Sequence, residues 1–531
     1  MAVPNLESSS SVNGPLAGML PDVWHHIMGQ HQGSVQRLSG VAHLNIDPVD
    51  WFTQVDLDPC ALARSLSSRL LDPRNEQLRN AVHEIKFGCF NKRDVDDMEQ
   101  RLMALVNSLP NLQRIKTRAR LSQDVLRRLN GHSKQLSLYL LGEDGKRTVE
   151  GQLHSVLALA ATVDSYSQDR GPNKDFLGVQ ALLFACPNLN SFSLTPLLDY
   201  GGCAPRFPAE GTVFSFQFSS DGKPFPPLED LSLNGYHLSQ NEGGHWAEKM
   251  QWSKLRSLSL GPQNTTTFLQ LAINHATFLR DLTVQVYPDD ADGQPLLEEF
   301  LINHTSLESL TVKGHYVSSR VVGFHTGLKH LCLHSFEPAE KSQTRPVFCS
   351  VQLQELNTSC PYLETLEIDL HRNGTWVRIK LVHQITCINT KVTLSQPEPE
   401  LKILATKFKN LRRLILHLEL GIASVEVQQG PNGLPEESAT LIEPVLTEGS
   451  AREMGKQFFD WRSLSSSSSW SSKLSLLVLK TGEPLRRVPQ WEPAYVQFER
   501  RNADTIEIHW PIGPEDAPEV VVLPRDPWSQ F

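Results

Sequence analysis

Asp290, Asp292, Gly293 and Glu299 occupy the third, fifth, sixth and last positions of a twelve-residue calcium loop. In such a loop carboxylates at alternate positions wrap a hard cation. Here Pro288 stands where the first ligand belongs and Pro295 takes the usual apolar position, so the stretch reads as a turn between a strand and a helix. His25 with His26, and His330 with His334, are pairs by sequence only and read as solvated or packed side chains. No phosphate-cradling Gly-rich loop, dinucleotide turn, HExxH or GxSxG is present. Nucleophile, base and orienting group do not assemble anywhere. The expectation is a chain that is not an enzyme and has no cofactor and no metal site.

Bulk properties narrow the class further. Lys plus Arg number 50 against 59 Asp plus Glu, giving a net charge of −9, and there is no long basic run. That argues against nucleic acid or an anionic membrane as partner. The longest apolar stretch, Ser155 to Val163, is about half of what a bilayer span requires. The polar, Ser-rich start does not resemble a secretory signal, so the sequons at Asn264, Asn303, Asn357 and Asn373 are read as chance. Eight cysteines without a CxxC pair suggest free thiols in a reducing compartment, the cytoplasm and/or the nucleus.

What the sequence has in excess is leucine, about 75 of 531 residues. Many sit in one repeated pattern, Leu-x-x-Leu-x-Leu with apolar variants. It runs Leu228, Leu231, Leu233; Leu255, Leu258, Leu260; Leu279, Leu282, Val284; Leu307, Leu310, Val312; Leu328, Leu331, Leu333; and Leu363, Leu366, Ile368. Outlying copies start at Leu189, Leu411 and Leu474, and looser ones at Val82 and Leu112. The middle copies recur every 21 to 28 residues, the period of a leucine-rich repeat. Before several of them lies an amphipathic helical stretch closed by a polar or Cys-Pro break, as at Pro187 and Pro361.

A single copy cannot fold alone. Three buried leucines contribute about 2 kcal/mol each, against about 1.5 kcal/mol of entropy for each of roughly 25 ordered residues. Stacking is therefore required. The fold class expected is α/β, a leucine-rich-repeat solenoid with a curved parallel sheet inside and helices outside. Side chains alternate along a strand, so the residues between the leucines line the inner face. Asp281, Thr283, Ser309, Thr311, His330, Thr365 and Glu367 are the candidates there for contacting a protein partner.

With those residues in view, positions 180 to 420 resemble the cytosolic leucine-rich-repeat class common in fungal F-box proteins, through the junctions Cys186 to Leu194 and Cys360 to Ile368. The resemblance makes the junction cysteines small apolar fillers. Ahead of the repeats, three pieces in order resemble an F-box. Leu20, Pro21, Val23 and Ile27 match its first motif, Val35, Leu38 and Val41 its second, and Asp47, Pro48, Trp51, Val55 and Asp56 its third. The resemblance implies that the first two sets bind a Skp-type adaptor joined to a cullin ubiquitin ligase. The chain would then be the substrate receptor, presenting an unknown protein target on its repeats. The alternative is an interaction scaffold whose N-terminal helices only cap the solenoid.

The domain reading that follows is a disordered terminus over 1–15, an F-box-like helical module over 16–57 and a solenoid over 58–424. A flexible acidic and Ser-rich insertion over 425–472 precedes a last repeat and cap over 473–531.

Overall fold

The computed structural model describes residues 54–56, 67–87, 95–117, 121–143, 149–164, 174–197, 216, 218, 223–234, 236, 238, 240–261, 265–286, 293–335, 345–370, 398–418, 428–429, 435–436, 446, 448–465, 474–482, 504–509 and 519–523. The adaptor-binding candidates Leu20, Pro21, Val23, Ile27, Val35, Leu38 and Val41 lie outside them. The chain divides into two compact units, and the single solenoid expected over 58–424 falls across both.

In the first unit, strand and helix alternate: β1 (Gln54–Asp56), α1 (Glu76–Ala81), β2 (Glu84–Phe87), α2 (Val95–Ser108), β3 (Arg114–Thr117), α3 (Gln123–Asn130), β4 (Leu136–Glu143), β5 (Val156–Asp164), α4 (Lys174–Ala185) and β6 (Ser191–Leu197). The strands pair in chain order, all parallel. The loose copies at Val82 and Leu112 come into register, Ile85 opposite Ile115. Strands β4 and β5 are repeats that the leucine count passed over. Leu159 pairs with Phe192 and Ala161 with Leu194, so Val156, Leu159 and Ala161 fill the three leucine positions with smaller side chains.

The second unit continues in the same manner with β7 (Asp230–Leu233), α5 (Gln240–Lys249), β8 (Ser257–Leu260), α6 (Thr265–Ala272), β9 (Asp281–Gln285), α7 (Gly293–Asn303), β10 (Ser309–Lys313), α8 (Ser319–Val322), β11 (His330–His334), α9 (Ser350–Ser359), β12 (Thr365–Leu370), α10 (Glu398–Lys407) and β13 (Arg413–Leu418). A short ribbon, β14 (Gln428–Gln429) with β15 (Pro435–Glu436), precedes α11 (Glu448–Ser465) and β16 (Leu476–Thr481). Strands β7 to β13 and β16 are parallel, and the leucine positions align without slip: Leu231, Leu258, Leu282, Leu310, Leu331, Leu366, Leu414 and Leu477. All eight are buried, which at about 2 kcal/mol each is the main favourable term of the stack. Within the expected last repeat and cap over 473–531, β17 (Asp504–His509) pairs antiparallel with β16, and β18 (Glu519–Leu523) antiparallel with β17.

Two local devices tie many of the repeats to the one before. The backbone N–H groups of the residue preceding a strand and of its first residue both donate to one carbonyl in the previous repeat. Arg280 and Asp281 donate to Arg256 O, Glu308 and Ser309 to Arg280 O, and Glu364 and Thr365 to Lys329 O, at 2.8 to 3.0 Å. Asparagine just before the first leucine position adds a second tie. The Nδ2 groups of Asn111, Asn188 and Asn410 donate to the carbonyls of Asn80, His154 and Pro361 at 2.8 to 2.9 Å.

One expectation is corrected here. Within 425–472, expected to be a flexible insertion, residues Glu448–Ser465 form the 18-residue helix α11. Ala451, Met454, Phe458 and Phe459 recur at helical spacing and are buried. The buried Arg462 then donates to the carbonyls of Ala405, Phe408 and Leu411 at 3.2 to 3.4 Å. These lie at and just beyond the C-terminal end of α10, where carbonyls have no intrahelical partner. Burial lowers the pKa of Arg462 to about 10.

Candidate functional site

Because the leucine positions align, the residues between them align as well, and they form straight rows across the strands of the second unit. Asp281, Ser309, His330 and Thr365 are successive partners in one row. Thr283, Thr311, Cys332 and Glu367 follow in the next. The sequence-predicted face residues are thus brought together, but they do not share one environment. Asp281, Thr283 and His330 are exposed, and Ser309, Thr311, Thr365 and Glu367 are half-buried. Burial and the neighbouring Glu308 raise the pKa of Asp281.

Along the same face the chemistry changes. The second row runs through Ser259, Thr283 and Thr311 and then through Cys332, Glu367, Ile415 and Val478. Hydroxyls give way to a thiol, a carboxylate and then apolar groups, and from β11 onward half of the face is buried: Cys332, His334, Asp369, Ile415, His417 and Val478. Glu367 accordingly differs from its expected role. It accepts from His417 Nε2 at 2.7 Å and from Lys480 Nζ at 2.9 Å, so it is engaged within the chain. Burial alone would raise its pKa, but these two partners outweigh it and hold the carboxyl well below the usual range.

A third row completes a closed polar cluster. His334, Asp369, His417 and Lys480 end the strands β11, β12, β13 and β16 on this side, with Asp369 opposite His417 and His417 opposite Lys480. His334 Nδ1 donates to Asp369 Oδ1 at 2.8 Å and the Ser335 N–H to Oδ2 at 2.6 Å. Arg345, from the connection before α9, sets Nη1 3.3 Å from Asp369 Oδ1 and donates from Nη2 to the His417 carbonyl at 3.2 Å. The two imidazole rings stack with centroids 3.8 Å apart and planes 21° apart.

The charges in this cluster balance, with Asp369 and Glu367 facing Arg345 and Lys480. Burial, with His334 nearby, lowers the pKa of His417 to about 4 against the pull of Glu367, so the ring is neutral at pH 7. Asp369 is held low by Arg345 and His334 despite burial, which acts the other way. Cys332 lies beside Glu367, and burial pushes its thiol well above the ordinary range, which disarms it as a nucleophile. One ligand atom each from His334, Asp369 and His417 lies within 4.8 Å of the others, so the trio could hold a metal ion. Spacing in the sequence could not reveal this trio, because its members are 35 and 48 residues apart. The available signal was their shared position in the repeat, one residue after the third leucine position.

The junction cysteines Cys186 and Cys360 are buried, with thiols raised by burial to about 12 and about 11. The Cys360 thiol also points at the carbonyls of Val322 and His325, at 3.7 and 3.6 Å. Of the calcium-like spacing, Asp290 and Asp292 lie outside the described residues, while Gly293 opens α7 and Glu299 sits within it. Among the described residues no helix is long and apolar enough to cross a membrane. No known family model matches the chain, and no curated protein matches it either.

Proposed function

We propose that this chain is a non-catalytic recognition subunit that binds a protein target on the sheet face of β7 to β11. The observation that supports this is the registered set of polar side chains there, with Asp281, Thr283 and His330 exposed and Thr311 half-buried. Buried leucines behind the sheet hold these side chains at strand spacing. A row of small polar groups on a rigid backbone suits hydrogen bonding to a polypeptide.

In this reading the N-terminal motifs take the F-box role. Leu20, Pro21, Val23, Ile27, Val35, Leu38 and Val41 bind a Skp-type adaptor, and the repeats present a target to a cullin ubiquitin ligase in the cytoplasm and/or the nucleus. Co-purification of the full chain with a Skp-type adaptor tests it. The native chain is expected to retain the adaptor, and a chain carrying Leu20→Asp, Ile27→Asp and Leu38→Asp to lose it while keeping its circular dichroism spectrum. A folded native chain that fails to retain the adaptor would leave the scaffold reading in its place.

A further inference from the structure

We propose that His334, Asp369 and His417 form a binding site for a divalent transition-metal ion of the zinc type, in competition with the guanidinium of Arg345. Three successive parallel strands each contribute one donor, all from the end of the strand and on the same side of the sheet. The donor atoms lie within 4.8 Å of one another. His334 Nδ1 lies 2.8 Å from Asp369 Oδ1, and the proton it donates there must pass to Nε2 when this nitrogen takes the ion. Two donors on one zinc ion, with bonds of about 2.1 Å, stand about 3 to 3.4 Å apart. Small side-chain rotations on a fixed backbone therefore close the site.

The donor set selects the ion. Two imidazoles and one carboxylate suit zinc, nickel or copper, whereas calcium and magnesium require more oxygen ligands than the trio offers. Glu367 accepts from one nitrogen of His417 at 2.7 Å and leaves the other for an ion. Carboxylates hold and orient metal-bound imidazoles in this way. A water or a ligand group would complete the coordination.

Arg345 competes with the ion for Asp369. Its Nη1 already places a positive charge 3.3 Å from Asp369 Oδ1. Two further cationic charges cannot be added beside a buried guanidinium, so ion and Arg345 must exclude one another. Arg345 is also the incompletely satisfied member of the cluster, because its buried Nε makes no hydrogen bond among the described residues.

The experiment uses the full chain, stripped with a chelator and titrated separately with zinc and cobalt. Binding is followed by calorimetry, by the visible absorption of bound cobalt and by the shift in melting temperature. The native chain is expected to take up one ion and to melt higher with it. Arg345→Met is expected to melt lower without metal, to bind more tightly than the native chain, and to regain its lost melting temperature when zinc is added. Glu367→Gln should bind about 10- to 100-fold more weakly, and the double change His334→Gln with His417→Gln should abolish the cobalt absorption. The proposal is overturned if neither the native chain nor Arg345→Met binds either ion. It is equally overturned if binding survives the double histidine change, or if Arg345→Met binds no better than the native chain.

Discussion

Strands β7 to β10 and strands β11, β12, β13 and β16 are built on the same ladder of leucines, yet they treat the opposite face of the sheet differently. In β9 the residues between the leucine positions stand in solvent, whereas in β13 Ile415 and His417 are as buried as the leucines beside them. The backbone register is common to both, so the difference comes from the side chains alone. Small hydroxyls leave a face that water can cover at little cost. Ile415 and Val478 require a cover, and the cover then forces Asp369, Glu367, Arg345 and Lys480 to satisfy one another away from water. A repeat protein can in this way carry an open recognition surface and a closed ionic core on one sheet.

The largest expected difference is in stability. Asp369→Ala leaves the buried Arg345 and the Ser335 N–H without their shared acceptor, and urea unfolding should show a loss of about 3 to 5 kcal/mol. A loss below about 1 kcal/mol would mean that the closed half is no more interdependent than the open one.

The boundary between the halves can be probed with pH. His325, buried in the turn before β11, has its pKa lowered to about 4 by burial, with His304 adding to the effect. The unfolded chain takes up this proton near pH 6.5 while the folded chain resists it until about pH 4. Stability is therefore lost as pH falls through that window, by ~3 kcal/mol in all. His325→Leu should flatten this part of a stability-against-pH curve measured by denaturant unfolding. A curve of unchanged slope would assign the acid sensitivity to another group.

A smaller effect is expected at the far end of the closed half. A methyl group at Gly455 on α11 would meet Ile508 Cδ1 at 2.8 Å. The crowding should cost about 1 to 3 kcal/mol, offset by about 1 kcal/mol of helix propensity. Gly455→Ala should therefore lower the melting temperature slightly, and Ile508→Val in the same chain should turn the change into a gain. The smallest effect belongs to the open half. Thr283→Ala with Thr311→Ala should alter stability by no more than about 0.5 kcal/mol while weakening target capture. Intact capture would remove these two residues from the recognition surface.

The repeated strands were legible because a leucine triplet recurring at a near-constant spacing has few other physical solutions. Strands β4 and β5 were not, because β4 carries its leucines at 136, 138 and 140, spaced two and two instead of three and two, and Ala161 in β5 carries too little apolar area to mark the pattern. The helix α11 was hidden by its neighbours, since glycines and serines flank a segment whose apolar residues follow a helical period. The open face residues could be listed from strand alternation alone. The closed cluster could not, because Arg345 reaches Asp369 from another connection and burial is a property of the whole stack.

The paired N–H groups that grip a single carbonyl at the start of β3 and of β8 to β13 govern how such a chain can vary. Each grip sets a strand's register against its predecessor afresh, so a change of length inside one repeat is absorbed in its own connection. Spacings between strand starts as short as 21 and as long as 48 residues coexist here with unbroken alignment. Lengthening a connection costs only about 0.6 kcal/mol per doubling. The ladder thus works like a ruler re-zeroed at every mark, on which connections can grow without shifting the positions that follow.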